Sequence, residues 1–156
     1  MVIVVAVQYW QTRDMPSGPA PDVALSLVQA DGSTEKTTLH QYLARYPGQA
    51  VAVNVWAQWC PICGAEESNV TQLAEHAPVL TLAMRSGNAQ AVARTLKQRQ
   101  LSWPTAVDED GQIAAQFGVS AVPTFWVIDR NGQMHGHSVG YTSAWGMRLR
   151  WWWFNR

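Results

Sequence analysis

Two cysteines, Cys60 and Cys63, are the only thiols in the chain, and they stand in the segment Trp59-Cys60-Pro61-Ile62-Cys63. A spacing of three puts two side chains on one face of a helix, close enough for a disulfide. Proline suits the first helical position, because its missing N–H would be unpaired there anyway and its fixed φ fits the turn. Cys60 then sits at the helix start. The free N–H groups of the first turn and the positive end of the helix dipole face its sulfur and favour the thiolate. Cys63 lies further in and is more covered. The chemistry this predicts is thiol–disulfide exchange: the Cys60 thiolate attacks a disulfide, and Cys63 then attacks Cys60, which releases reduced substrate and leaves the pair oxidised. In reverse the same steps oxidise.

Two plainer uses of such a pair are a structural bridge and half of a metal site. Two cysteines are too few for a disulfide framework or an all-cysteine zinc site. A mixed site needs two more ligands, and the histidines are His40, His76, His135 and His137. His135 and His137, one residue apart beside Met134, would point to one side of a strand, and surface histidines on a hairpin are the plainer reading. No metal and no other cofactor is assigned. Reduced thiols are soft enough to hold Cu(I). A copper-handling protein, and a binding or chaperone-like module with a structural bridge, therefore stand beside the enzyme as alternatives.

The elements around the pair follow from the apolar pattern. Ala50–Val55 is nearly unbroken apolar, as in a parallel strand covered on both faces. A helix follows from about Pro61 to His76, then a strand Val79–Met84, a helix from about Ala89 to Gln100, a short strand Thr105–Val107 and a short helix Asp110–Phe117, with Gly118 where a C-cap wants it. Ahead of them, Leu25 and Leu27 with the turn at Asp31-Gly32 suggest a hairpin, and Leu39–Tyr46 a short helix. Thr124–Asp129, the turn Arg130-Asn131-Gly132 and Gln133–Val139 form a second hairpin, since Asn-Gly is a strong hairpin signal. Ser143 can cap a last helix. Strands alternating with helices and closing on a hairpin call for an α/β sandwich with a mixed sheet.

Composition agrees with one globular domain. The 156 residues are 47% apolar and only 14% charged, the reverse of the disorder signature, and a chain this long buries about 70% of its unfolded surface. Eleven basic residues balance eleven acidic ones, so the basic field that nucleic acid binding needs is missing and no nucleic acid partner is expected. The ends differ in character. Val2–Val7 is wholly apolar and runs into Tyr9, Trp10 and Arg13, like the end of a membrane helix at the interface. Residues 1–13 therefore read as the tail of a truncated N-terminal anchor, an edge strand being the alternative. Residues 14–22, with three prolines, read as an extended spacer, which leaves 23–156 as the folded domain. At the other end, Met147–Phe154 packs three consecutive tryptophans with Arg148 and Arg150. One helical face cannot bury them all. Some pack in the core and one or two stay exposed, with membrane contact or partner docking as the alternatives.

VAVNVWAQWCPIC followed by GVSAVPTFWVIDRNGQ resembles the thioredoxin superfamily, in particular its membrane-tethered periplasmic TlpA-like thiol-disulfide oxidoreductases, and looks most like the copper-sensitivity suppressors among them. The resemblance spans about residues 23–150. It implies a thioredoxin-like three-layer sandwich, a central mixed sheet flanked by helices. It also implies a bacterial periplasmic location, periplasmic protein thiols and disulfides as substrates, an integral-membrane redox partner, a monomer, and a role in copper tolerance. Pro123 matches the family's cis-proline facing the cysteines, with Val122 as a substrate backbone contact. Trp59, Pro61 and Ile62 border the thiols and line the contact surface, whereas Trp56 reads as packing. Thioredoxin has a buried Asp where this chain has Asn54. An amide cannot take the Cys63 proton, so Asn54 reads as structural. Glu66 matches a Glu of TlpA-type proteins and, partly buried beside the thiols, could take and return that proton. Glu66 and Glu67 could equally serve only to complement the helix dipole.

Overall fold

All six residues of the strand Val51–Trp56 are buried, which requires cover on both faces of the sheet. The computed structural model describes residues 2–12 and 17–156. In chain order the elements are α1 (Val2–Thr12), β1 (Gly18–Pro19), β2 (Ala24–Val28), β3 (Thr34–Thr38), α2 (Leu39–Leu43), β4 (Val51–Trp56) and α3 (Pro61–Ala74). They continue with β5 (Val79–Met84), α4 (Ala89–Gln98), β6 (Thr105–Asp108), α5 (Gln112–Gln116), β7 (Thr124–Ile128), β8 (Gln133–Val139) and α6 (Ala144–Phe154). The strands form one mixed sheet in the order β1-β8-β7-β4-β5-β6-β2-β3. β4, β5 and β6 run parallel. Parallel neighbours need crossover connections, and α3 and α4 supply them. β7 pairs antiparallel with β4 and β8.

The two cores lie on opposite faces of this sheet. Leu39 and Tyr42 of α2, with Ala114 and Phe117 at α5, cover one face against Val51, Val53, Val55 and Trp126. Val70 and Leu73 of α3, Val92 and Leu96 of α4, and Met147 of α6 cover the other against Ala52, Val79 and Val127. Side chains cap the helices that flank the sheet. Thr38 and Gln41 make a reciprocal capping box on α2, Asn88 caps α4 and Ser143 caps α6, each satisfying N–H groups that a helix start leaves open. Gly111 has no side chain to cap α5, and the Asp108 carboxylate instead accepts from the N–H groups of Ile113 and Ala114 at 3.0 and 2.9 Å.

Four sequence readings change. The spacer read over residues 14–22 is not an extended tether throughout, because Gly18 and Pro19 pair with Met134 and Gln133 and Ala20 is buried. The folded unit therefore includes residues before Val23; residues 14–16 of that spacer lie outside the described ones. For Val2–Val7 only the edge-strand alternative falls away: the stretch belongs to a helix, and its side chains are exposed. The helix read over Leu39–Tyr46 stops at Leu43, and past its cap Ala44 the N–H groups of Arg45 and Tyr46 bond three residues back instead of four.

The fourth change concerns the histidine pair. His135 and His137 do not share a side of β8. Gly136 between them takes φ +69°, and the pairing of β7 with β8 slips between Phe125 and Val127, so a β-bulge resets the alternation. His135 pairs with Asp129 at 2.8 Å and stacks on Phe154 of α6 at 4.5 Å. His137 stacks on Trp126, in the other core, at 6.0 Å, and burial holds its pKa below the usual imidazole range. Neither histidine is a free surface group, and they cannot act together on one ligand.

A side chain at Gly136 would meet both the positive φ and the Phe154 ring, which lies 3.1 Å from where a Cβ would stand. Gly136→Ala should destabilise the fold by about 1–2 kcal/mol in urea melts. Gly48→Ala carries a similar φ but meets nothing within 4 Å, and should cost less.

Candidate active site

The site is built where β4 ends and α3 begins. Cys60 is the N-cap of α3 and Pro61 its first residue. The Cys63 N–H points at the Cys60 sulfur, 3.2 Å away, one of the open donors of the first turn. Cys60 and Cys63 are joined as a disulfide, with Cα atoms 5.3 Å apart, and are 7% and 4% exposed. The loop that presents them is held from three directions. Gln58 N–H donates to Ser86 Oγ at 2.9 Å, Arg99 donates to Gln58 O at 2.9 Å, and Trp59 Nε1 donates to Arg85 O at 3.0 Å. Arg99 also pairs with Glu67 at 2.8 Å. Glu67 thus ties α3 to the end of α4.

Around the disulfide the surface is apolar. Trp59 and Ile62 are about half exposed, at 53% and 52%, and Pro61 is exposed beside them. The Val122 carbonyl oxygen lies 3.9 Å from the Cys60 sulfur. The Val122–Pro123 peptide is cis, and Ala121 O accepts from Thr124 Oγ1 at 2.8 Å, which secures the turn ahead of β7. Trp56 is buried instead, with Nε1 on Thr81 Oγ1 at 3.2 Å and its ring edge-on to Trp103.

Three residues past Cys63 on α3 lies a buried carboxylate. Glu66 is 2% exposed. Its Oε1 accepts from Asn54 Nδ2 at 2.9 Å and its Oε2 from the Thr142 N–H at 2.8 Å. Burial raises its pKa above the usual glutamate value, and the two hydrogen bonds partly oppose that rise. Thr142 is placed in turn by Asn69, whose amide donates to Thr142 O at 3.0 Å and to the Tyr141 hydroxyl at 2.9 Å. So Asn54 has its partner, and that partner is the carboxylate of the next element. Sequence reasoning missed Thr142, Asn69, Arg85, Ser86 and Arg99. Thr142 and Arg85 act through the backbone, where side-chain type carries no signal, and Arg99 reaches the loop from the end of α4.

His40 and His76 lie elsewhere. His40 sits by Ala20 O and Asp22, and His76 follows α3 at its far end. Among the described residues no group of three His, Cys, Asp or Glu side chains could hold a metal ion.

Residues 16–136 match the AhpC/TSA family. The chain belongs to this family. It is 32% identical over 104 residues to a thiol:disulfide interchange protein DsbE homolog of Paracoccus denitrificans, covering 66% of this chain and 58% of that protein. It is 30% identical over 96 residues to the thiol-disulfide oxidoreductase ResA of Bacillus thuringiensis, covering 59% and 56%. The chain thus spans a little over half the length of these curated relatives. Among solved structures, one described as a thiol:disulfide interchange protein DsbE from Chlorobium tepidum superposes with a TM-score of 0.68 at 26% identity, covering 86% of this chain and 93% of that one. The exposed lipoprotein thioredoxin Etrx1 of Streptococcus pneumoniae superposes with a TM-score of 0.66 at 24% identity, covering 81% and 96%. The fold is thioredoxin-like: a central mixed sheet flanked by helices.

The raised pKa of Glu66 has a consequence for stability. In the unfolded chain Glu66 releases its proton near the ordinary value of 4.5, whereas the folded protein holds that proton to higher pH. Folding therefore loses stability as pH rises from the ordinary glutamate value to the raised one, and the loss is complete above it. Glu66→Gln removes this dependence. Its Oε1 can accept from the Thr142 N–H while its amide meets a flipped Asn54. In urea melts from pH 4 to pH 8, the variant should gain on the wild type through that window and on neither side of it. A constant difference at all pH values would show that the carboxyl ionises normally.

Proposed function

We propose that the chain is a thiol-disulfide oxidoreductase acting on proteins through the Cys60–Cys63 pair. The observation that carries this reading is the Cys63 N–H aimed at the Cys60 sulfur at the start of α3. The thiolate released from Cys60 keeps that donor and the helix dipole, which lowers its pKa. The relatives named as interchange proteins and thiol-disulfide oxidoreductases support it. In the reductive direction the Cys60 thiolate attacks one sulfur of a substrate disulfide, forming the Cys60–substrate bond and expelling the other sulfur as a thiolate. Cys63 loses its proton and attacks the Cys60 sulfur, which frees the second substrate thiolate and closes the bridge. Two electrons pass to the substrate. Trp59, Pro61 and Ile62 border the approach, and Val122, ahead of Pro123, offers the substrate its backbone.

Glu66 is the group we assign to the Cys63 proton, because it stands three residues on along α3 with a raised pKa and can hold a proton where an ordinary carboxylate would not. Asn54 orients it. Glu67, paired with Arg99, serves as the structural counterpart.

The location we infer is the periplasm. The exposed apolar side chains of α1 are read as the end of an N-terminal anchor, although no helix among the described residues is long and apolar enough to cross a membrane. An integral-membrane redox partner, a monomeric state and a role in copper tolerance belong to the same reading and rest on the resemblance in the sequence. Copper handling by the thiols alone would require stoichiometric Cu(I) binding by the reduced protein, which metal titration measures.

Cys63→Ser should trap mixed disulfides on Cys60 with native partners, and Cys60→Ser should trap none. A bridge that resists mild reductant, together with unchanged function in Cys60→Ser, would make the disulfide structural. In the reduced protein the Cys60 thiol should titrate below the ordinary value of about 8.5, read from the pH dependence of alkylation. Glu66→Gln should slow exchange at neutral pH more than Glu67→Gln does; equal effects would remove the proton role.

A further inference from the structure

Helix α6 has two apolar faces where a surface helix ordinarily has one. Met147, Trp151 and Phe154, spaced i, i+4, i+7, turn inward: Met147 is buried and the two aromatic rings pack against the core. Trp151 Nε1 donates to Ala50 O at 2.8 Å. Trp145, Leu149, Trp152 and Trp153, spaced i, i+4, i+7, i+8, form a second stripe turned to solvent, and they are 78%, 62%, 52% and 54% exposed. Three tryptophans on the wet side of one helix have no role in the core.

Charge says what covers that stripe. No Asp or Glu follows Asp129 in the sequence, and the last nine residues hold Arg148, Arg150 and Arg156 in a chain whose total charge is zero. Arg148 lies over the Trp145 ring at 5.9 Å, and Arg156 over Trp153 at 3.9 Å and Trp152 at 5.4 Å. The exposed rings are thus flanked by cations. Arg150 points back to Gly146 O and takes no part. Glu75 and His76 of the α3 end line the groove beside Trp145 and Arg148, and Glu75 forms no ion pair with Arg148 among the described residues. Trp and Leu on one face with arginines at its rim is the pattern of a helix lying in the plane of a membrane interface, where indole rings settle at headgroup depth and cations meet anionic lipid.

We propose that the outer face of α6 is a membrane-docking surface for anionic bilayers, distinct from the redox site and independent of the exchange reading. Docking through α6 would hold the folded domain itself against the bilayer, with Phe154 and Trp151 as the inner clamps that keep the helix on the sheet.

The test uses the full chain and vesicles of phosphatidylcholine with and without about 30% phosphatidylglycerol, which supplies the anionic surface that arginines meet. The wild type should bind the anionic vesicles, more weakly as salt rises. Trp145→Ser/Trp152→Ser/Trp153→Ser should lower the partition coefficient about tenfold or more with unchanged circular dichroism. Arg148→Gln/Arg156→Gln leaves the inner face intact and should abolish the preference for anionic lipid. The share of binding that α1 contributes is removed by Val4→Asp/Val5→Asp, a variant that should retain the α6-dependent part. The proposal is overturned if the tryptophan variant binds as the wild type does, if binding ignores lipid charge, or if the wild type ignores vesicles and instead self-associates through these tryptophans.

Discussion

A carboxylate with 2% exposure can be kept inside a protein only if its oxygens are satisfied, and Glu66 meets that demand across three elements. Asn54 comes from the centre of β4 and the Thr142 N–H from the loop that leads into α6. The two partners lie 12 and 76 residues away in sequence. One side chain of α3 thereby fixes the helix against the strand that precedes the cysteines and against the last segment of the chain. Without a donor on β4, the carboxylate would face an apolar strand and burial would be prohibitive. The same clasp explains why an amide stands in a strand that is otherwise apolar: a side chain that only donates to Glu66 satisfies it without adding a second buried charge.

That constraint passes to the thiols. α3 cannot slide along β4 while Glu66 is held at both ends, so the first turn that aims the Cys63 N–H at Cys60 keeps its place. The loop before it is fixed separately, by Ser86, Arg85 and the Arg99–Glu67 pair. The cysteine end of the helix is therefore located by polar contacts, whereas the rest of α3 is located by Val70 and Leu73 in the core. Rigid placement of this kind is what a proposed exchange site needs, because the donor must already point at the sulfur when the thiolate forms.

Much of this is legible in the sequence. The cysteine spacing with proline between, the unbroken apolar β4 and the Asn-Gly hairpin each follow from local rules, and local rules hold where one element decides its own conformation. What is not legible depends on partners distant in sequence. Gly18 and Pro19 look like spacer because a two-residue strand has no pattern of its own; only β8 makes it a strand. His135 and His137 look like same-side neighbours because strict alternation is the default, and a single glycine with positive φ cancels it. Glu66 could be singled out from its spacing to Cys63, but its Thr142 partner could not, since a backbone N–H is the same in every residue but proline.

The tryptophan run shows the limit from the other side. Three consecutive aromatic rings must diverge around a helix by about 100° each, so sequence alone dictates that no single core surface can take them all. It does not say which is taken. The structure decides by edge contacts: Ala50, just before β4, has its carbonyl bonded by Trp151 and its N–H by Asn155. That pair of bonds sets the rotation of α6 about its own axis. Once Trp151 is committed to the entrance of β4, Trp152 and Trp153 are carried outward with Trp145 and Leu149. The exposed stripe is thus a geometric consequence of how the end of the chain is sewn to the central strand, and the arginines that flank it sit at the positions left over at its rim.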